Sequence, residues 1–239
     1  MYGPDISCYN IIMGELNDNI NNLRKEYREI FSLSADEIQN HIDKLKPKNF
    51  NGELFEKYEK NTDGYFWQKS VLEILNNDIS KEIYRKLNEI LAYRTKFGCV
   101  GCATCCNLAC SEFSPAELKQ KAEDGDNFAN QFLSVFIPYE NKEEAAKIYP
   151  EYIELLAENG ETNVYFYHCP KLTKDKRCSD YENRPRICRD FPDNPLSILP
   201  KSCGYKAWKD EIEPIALMLH AMLEIVEFYS EKLKSLIKD

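Results

Sequence analysis

From Cys99 to Cys106 the chain reads Cys99-Val100-Gly101-Cys102-Ala103-Thr104-Cys105-Cys106, which crowds four cysteines into eight residues. No helix face or pleated strand explains that density, because side chains repeat about every 3.6 residues on a helix and every 2 on a strand. Two residues between cysteines let a tight turn aim both sulfurs at one ion or one cluster edge. Four further cysteines follow at Cys169, Cys178, Cys188 and Cys203. Eight thiols at two loci are therefore expected to converge on a buried inorganic centre.

What those thiols become depends on the compartment. The first ten residues hold no basic patch followed by an apolar run, and no stretch reaches the roughly 18 apolar residues of a membrane span. A cytoplasmic chain that does not enter a membrane is expected. In a reducing cytosol its ten cysteines serve as metal ligands or redox groups rather than as disulfides. With 239 residues, 43% of them hydrophobic, the chain has enough apolar surface to bury a core without such staples.

A net charge of −9 argues against nucleic acid as a partner, since phosphate binding needs a cationic surface. One segment runs against that balance. From Lys171 to Arg189 seven basic residues (Lys171, Lys174, Lys176, Arg177, Arg184, Arg186 and Arg189) face Asp175, Asp180 and Glu182. This basic island overlaps the second cysteine locus and is suited to a small anionic substrate or another protein.

The periodicity predicts a mainly α protein: a bundle-like helical lobe packed on a small, irregular, cysteine-rich metal-binding region with little β. Apolar residues step by three and four along Ile12, Leu16, Ile20, Leu23, Tyr27 and Ile30, predicting a helix over 9–31. Ser34 and Glu37 have the spacing of a capping box, predicting a second helix to about Leu45, just before Pro47. Helical spacing returns over 65–76 and 80–97, and Tyr65, Phe66 and Trp67 are read as core. Ser114-Pro115-Ala116-Glu117 marks another helix start.

Segments 127–136 and 142–158 also look helical, the latter closed by Asn159-Gly160, while 163–167 alternates like a strand. Residues 169–203 show no sustained period and need metal coordination or a similar tie to become ordered. An amphipathic helix is expected over 214–237. This organisation gives an N-terminal helical lobe over 1–97, a cysteine-cluster region over 98–205 with a helical insertion at about 111–160, and a C-terminal helix over 206–239.

The eight expected metal ligands are Cys99, Cys102, Cys105, Cys106, Cys169, Cys178, Cys188 and Cys203. Adjacent Cys105 and Cys106 point in different directions, so each is able to serve a different site. Two closed four-thiolate sites favour zinc, whereas the two-residue gaps followed by the distant Cys169-Pro170 suit ferredoxin-type ligation of an iron-sulfur cluster, 4Fe-4S. Cys110 is read as a small buried hydrophobe, and Cys8 is too remote to assign. His168 is a weak extra ligand candidate, and His41 and His220 sit in expected helices. Arg184 and Arg189 are candidate cofactor-binding groups, because guanidinium beside thiolates offsets their charge and donates to sulfur.

This pattern resembles the CxxCxxCC cysteine-cluster family of YkgJ-like, zinc- or iron-chelating proteins. Its signature, C-x2-C-x2-C-C, then C-P-x-L, a further Cys and Y-x2-R-P-x2-C-R-x-F-P, is met throughout. The matching residues are Cys99, Cys102, Cys105 and Cys106; Cys169-Pro170-Lys171-Leu172; Cys178; and Tyr181 through Arg184-Pro185, Cys188-Arg189 and Phe191-Pro192. Lys171 stands where the family commonly has an apolar residue, and the first 95 residues have no counterpart in it. Flagellin lysine N-methylases are similar in this cysteine region, so the resemblance admits methyl transfer, although no Gly-rich nucleotide loop is present. No general acid or base declares itself. A metal-binding protein is the leading expectation, beside a cluster-dependent methyltransferase-like enzyme or oxidoreductase and a metal-stapled interaction module.

Overall fold

The computed structural model describes residues 6–237, with the side chains of 1–21, 23, 24 and 27 set aside. Cys8 and the stripe from Ile12 to Tyr27 thus fall outside the described side chains. The protein is mainly helical with one small sheet. It divides into two compact units, one containing Lys96–Lys209 and the start of the first helix, the other Arg24–Thr95 and the chain from Asp210 onward. Among the described residues no helix is long and apolar enough to cross a membrane.

The helix expected over 9–31 and the one expected from Ser34 are a single element, α1 (Ile6–Asp43). Ser34 does not cap. It is fully buried, and its hydroxyl donates to the Ile30 carbonyl at 2.9 Å, one turn back, and to the Met218 carbonyl at 3.4 Å. Back-bonding of this kind lets a serine lie inside a helix, which is why the capping-box spacing misleads here.

In the second unit α2 (Asp63–Glu73) runs through a wider π-helical turn, Ile74–Ile79, straight into α3 (Ser80–Tyr93). Its core is a conventional apolar one, with Ile38, Ile42, Val71, Leu75, Ile83, Leu219, Val226 and Leu233 all buried. Trp67 is buried as expected of core, but Phe66 is exposed and so departs from that expectation. Buried Gln68 pins the irregular segment before α2 by donating to the Leu54 and Glu56 carbonyls, each at 2.7 Å. The last helix, α10 (Lys206–Ile237), starts where the expected C-terminal segment 206–239 starts, eight residues before the apolar stripe that opens at Pro214, and carries Pro214 inside it. The helix continues past the one hydrogen bond that a proline cannot donate.

In the first unit the elements are α4 (Thr104–Asn107), β1 (Ala109–Ser111), α5 (Pro115–Glu123), α6 (Asn127–Leu133), β2 (Ile137–Pro138), α7 (Lys142–Ile148), α8 (Pro150–Glu158), β3 (Tyr165–His168) and α9 (Arg186–Arg189). The Ser114–Glu117 capping box forms as read, with both reciprocal bonds present. The helix expected over 142–158 is split. Tyr149, before Pro150, has φ −156° and ψ 74°, because a residue preceding proline is driven out of the helical region. Asn159-Gly160 closes α8 as expected, the Glu161 amide reaching back to the Leu156 carbonyl at 2.9 Å with Gly160 at φ +88°.

The sheet, ordered β1-β3-β2 and antiparallel throughout, positions the cysteines. Neighbours on a strand face opposite ways, so Phe166 enters a cluster with Leu108, Ala145, Tyr152 and Leu156. Tyr167 enters another with Leu118, Ala129 and Phe132, where the Phe132 and Tyr167 rings meet edge-on at 4.9 Å. Apolar packing on both faces thus fixes β3. The outer strands β1 and β2, of three and two residues, are too short to carry an alternation and were not anticipated.

Candidate metal centre

β1 begins three residues after Cys106 and β3 ends at His168, one residue before Cys169. Their register pairs Ala109 with Tyr167, and continuing the ladder outward brings the two cysteine loci together. The Cys169 amide donates to the Cys106 carbonyl at 2.7 Å. The helices α5 to α8 are the loop that this pairing closes, so a gap of sixty-odd residues costs the site little: closure entropy grows only with the logarithm of length.

The third contribution comes from the segment before α10. A Cβ placed on Gly204 lies 2.0 Å from the Gly98 carbonyl oxygen, so only glycine lets Cys203 come alongside the segment that carries Cys99. Within the first locus Gly101 and Ala103 both take left-handed backbone, at φ +73° and +64°. For alanine that conformation costs roughly 1–2 kcal/mol, held by the short helix α4 and by burial of Ala103.

The nine described cysteines are all free thiols. Eight of them fall into two neighbourhoods. In the first, the Cys203 thiol donates to the Cys102 sulfur, and Cys99 lies within electrostatic reach of Cys105 and Cys203. In the second, Cys106, Cys169, Cys178 and Cys188 act on one another. An antiparallel bridge between Leu172 and Cys178 turns the intervening basic segment back toward Cys169. The neighbourhoods touch where the Cys105 thiol donates to the Cys106 sulfur. All eight line one open cleft of about 1130 Å³. As placed, no three His, Cys, Asp or Glu side chains among the described residues form a shell that holds an ion.

The acidities follow from these contacts. The proton given by Cys203 holds Cys102 down at about 5, and that given by Cys105 holds Cys106 at about 7. The two donors are correspondingly pushed up, with burial adding to the effect. Burial raises Cys169 and takes Cys188 to about 11, where neighbouring sulfurs add to it. Backbone amides two residues on favour the thiolates of Cys102, Cys169 and Cys203, from Thr104, Lys171 and Tyr205 respectively. An amide donor toward a charged sulfur is a strong hydrogen bond. The Thr104 hydroxyl is buried with no partner at hydrogen-bonding geometry, yet close enough to Cys102 to favour its thiolate.

The remaining candidates separate. Cys110, on β1 opposite Phe166, packs against the Leu108 cluster, where burial raises it to about 11. His168 packs its ring against Tyr139 at 4.9 Å. Arg184 is fixed inside the cleft, its Nε donating to the Tyr181 carbonyl at 3.1 Å and its guanidinium 3.6 Å over the Tyr181 ring. It lowers both Cys106 and Cys188. Arg189 lines the same cleft from α9. Two acids are engaged by other cations of the island, Asp180 by Lys171 at 2.6 Å and Asp190 by Arg186 at 2.8 Å. The Thr104 and Ser202 hydroxyls, both of which favour the Cys102 thiolate, were not singled out from sequence as site groups. Thr104 lies inside the motif and Ser202 beside Cys203, which is the only signal they offered.

Residues 98–207, a little under half of the chain, match the family model CxxCxxCC, described as a putative zinc- or iron-chelating domain. Over these residues the chain is similar to a class of domains described by the chelation of zinc or iron. No curated protein and no solved structure shows significant similarity to this chain.

Proposed function

We propose that this domain binds two zinc ions, one through Cys99, Cys102, Cys105 and Cys203 and the other through Cys106, Cys169, Cys178 and Cys188. The donors suit the ion: eight soft sulfurs, in two sets of four, match the closed tetrahedral sites of structural zinc. One observation carries zinc over a cluster. Cys102 and Cys203, far apart in sequence, lie close enough to act on each other's protonation, as sulfurs sharing one tetrahedral ion at bonds of about 2.3 Å must, whereas Cys105 and Cys106 do so as neighbours in the chain where the two sets adjoin. An iron-sulfur cube holds its four thiolates on separate irons and spreads them further apart. Bound zinc supplies cross-linking here, and the protein residues do the rest: amides and hydroxyls favour the thiolates, and Gly204 admits Cys203.

Purification without oxygen, followed by absorption spectroscopy and metal analysis, tests this reading. Colourless protein with two zinc ions per chain is expected. Iron with acid-labile sulfide and a brown colour sinks the zinc assignment, and protein free of either metal sinks the site.

A second reading, a metal-dependent enzyme acting on a small anion, is favoured by the cleft that the thiols share with Arg184 and Arg189. Cobalt substitution separates the two. Four sulfurs per ion leave no exchangeable position, whereas a spectrum that responds to added anions marks an open one.

A further inference from the structure

The two thiol sets differ in what surrounds them. Cys102, Cys105 and Cys203 feel chiefly other thiols, hydroxyls and backbone amides, all of them neutral donors apart from the sulfurs themselves. The second set has cations beside it. Lys171 approaches Cys169, but its charge is already committed to Asp180 at 2.6 Å. Arg184 is held differently: both of its anchors, the Tyr181 carbonyl at 3.1 Å and the Tyr181 ring at 3.6 Å, are neutral. They fix the direction of the guanidinium without cancelling its charge.

The loop is built to keep it there. Pro185 follows immediately and caps α9, whose Cys188 amide bonds the Pro185 carbonyl at 3.0 Å. Arg184 and Cys188 therefore move as one rigid turn. Four thiolates around a divalent ion leave two negative charges in excess, and a fixed cation in a partly buried cleft offsets that excess far better than a solvated one.

We propose that Arg184, positioned by Tyr181, is the counter-ion of the Cys106, Cys169, Cys178 and Cys188 set and makes it the tighter of the two metal sites. The inference rests on the two-set reading above. Arg184 is a positioning residue in this account, acting on the ligands rather than on the ion.

Zinc competition against a chromogenic chelator on the full chain tests it. In a Cys102→Ser background, which leaves the second set whole, Arg184→Gln is expected to weaken zinc by about tenfold or more, the usual effect of an outer partner. Arg184→Lys keeps the charge without the fork or the stack and falls between. In a Cys178→Ser background, which leaves the first set whole, Arg184→Gln changes nothing. Equal losses in both backgrounds, or no loss in the first, overturn the role of Arg184 while leaving the two sets in place. Should Arg184→Gln lose helical circular dichroism, Tyr181→Ala replaces it, removing the platform and weakening the same set alone. A wild-type chain that binds fewer than two ions overturns the two-set reading itself.

Discussion

The two compact units solve the problem of order in different ways. In Arg24–Thr95 with α10, helices bury apolar residues such as Leu75, Val71, Leu219 and Leu233 against one another. In the cysteine unit the helices and the sheet do the same, but the stretch from Cys169 to Phe191 contains no buried residue at all. Ordering a residue costs roughly 1–2 kcal/mol in backbone entropy alone. A segment that buries so little apolar surface has to recover that cost through ties, and its cysteines are the ties available. The first kind of order is spread over many small contacts, and the second rests on a few strong bonds.

Metal removal is the strongest way to break this comparison. Stripping the protein with a tight chelator under reducing conditions is expected to expose 169–203 to trypsin at Lys174, Lys176 and Arg177 while most of the helical circular dichroism persists. Binding free energies of structural zinc run at about 10–16 kcal/mol, so the change in protection is large. Equal protection with and without chelator refutes the division.

Thiol labelling sharpens it next. In a pulse of labelling at pH 7 given as metal is withdrawn, before 169–203 opens, Cys102, held at about 5, is a thiolate, whereas Cys188 and Cys110, both raised to about 11, are thiols. Iodoacetamide is therefore expected to modify Cys102 more than tenfold faster than either, as read by peptide mapping. The Cys102 rate stays level as pH falls to about 6 and then drops through about 5, while the Cys188 rate still climbs above pH 9. A common pH profile for all three contradicts these contacts.

Leu75→Ala attacks the other unit. Loss of a fully buried leucine costs about 2–5 kcal/mol, measured by urea unfolding, and is expected to leave metal content unchanged. Loss of metal in that variant joins what the comparison separates. Ser114→Ala is the mildest change, removing the capping box of α5 at about 1 kcal/mol, again with metal retained.

Much of this was legible in the chain, for identifiable reasons. Stripes and caps report local geometry, so α3, α5 and the end of α8 stand where their spacing put them. Readings failed where a distant partner decided or where the apolar spacing hid a local rule. Ser34 had a capping spacing but is buried against the Met218 carbonyl. The helix over 142–158 breaks because Pro150 acts on Tyr149, a local rule that the apolar spacing masked. Strands β1 and β2 exist only because β3 offers them edges.

For the site, the sequence by itself determined the donors: eight cysteines in two clusters, four of them too crowded for any regular element, and a basic island around the second. Ligand chemistry is a property of side-chain type and short spacing, and both are written in the chain. Only the tertiary structure decided which sulfur meets which. Cys102 meets Cys203, and Cys106 meets Cys169, because the pairing of β1 with β3 and the close approach at Gly204 and Gly98 are made by residues far apart in sequence. The crowded motif from Cys99 to Cys106 is thus divided between two neighbourhoods, parted at the Cys105-Cys106 bond, a division that depends on packing and not on spacing.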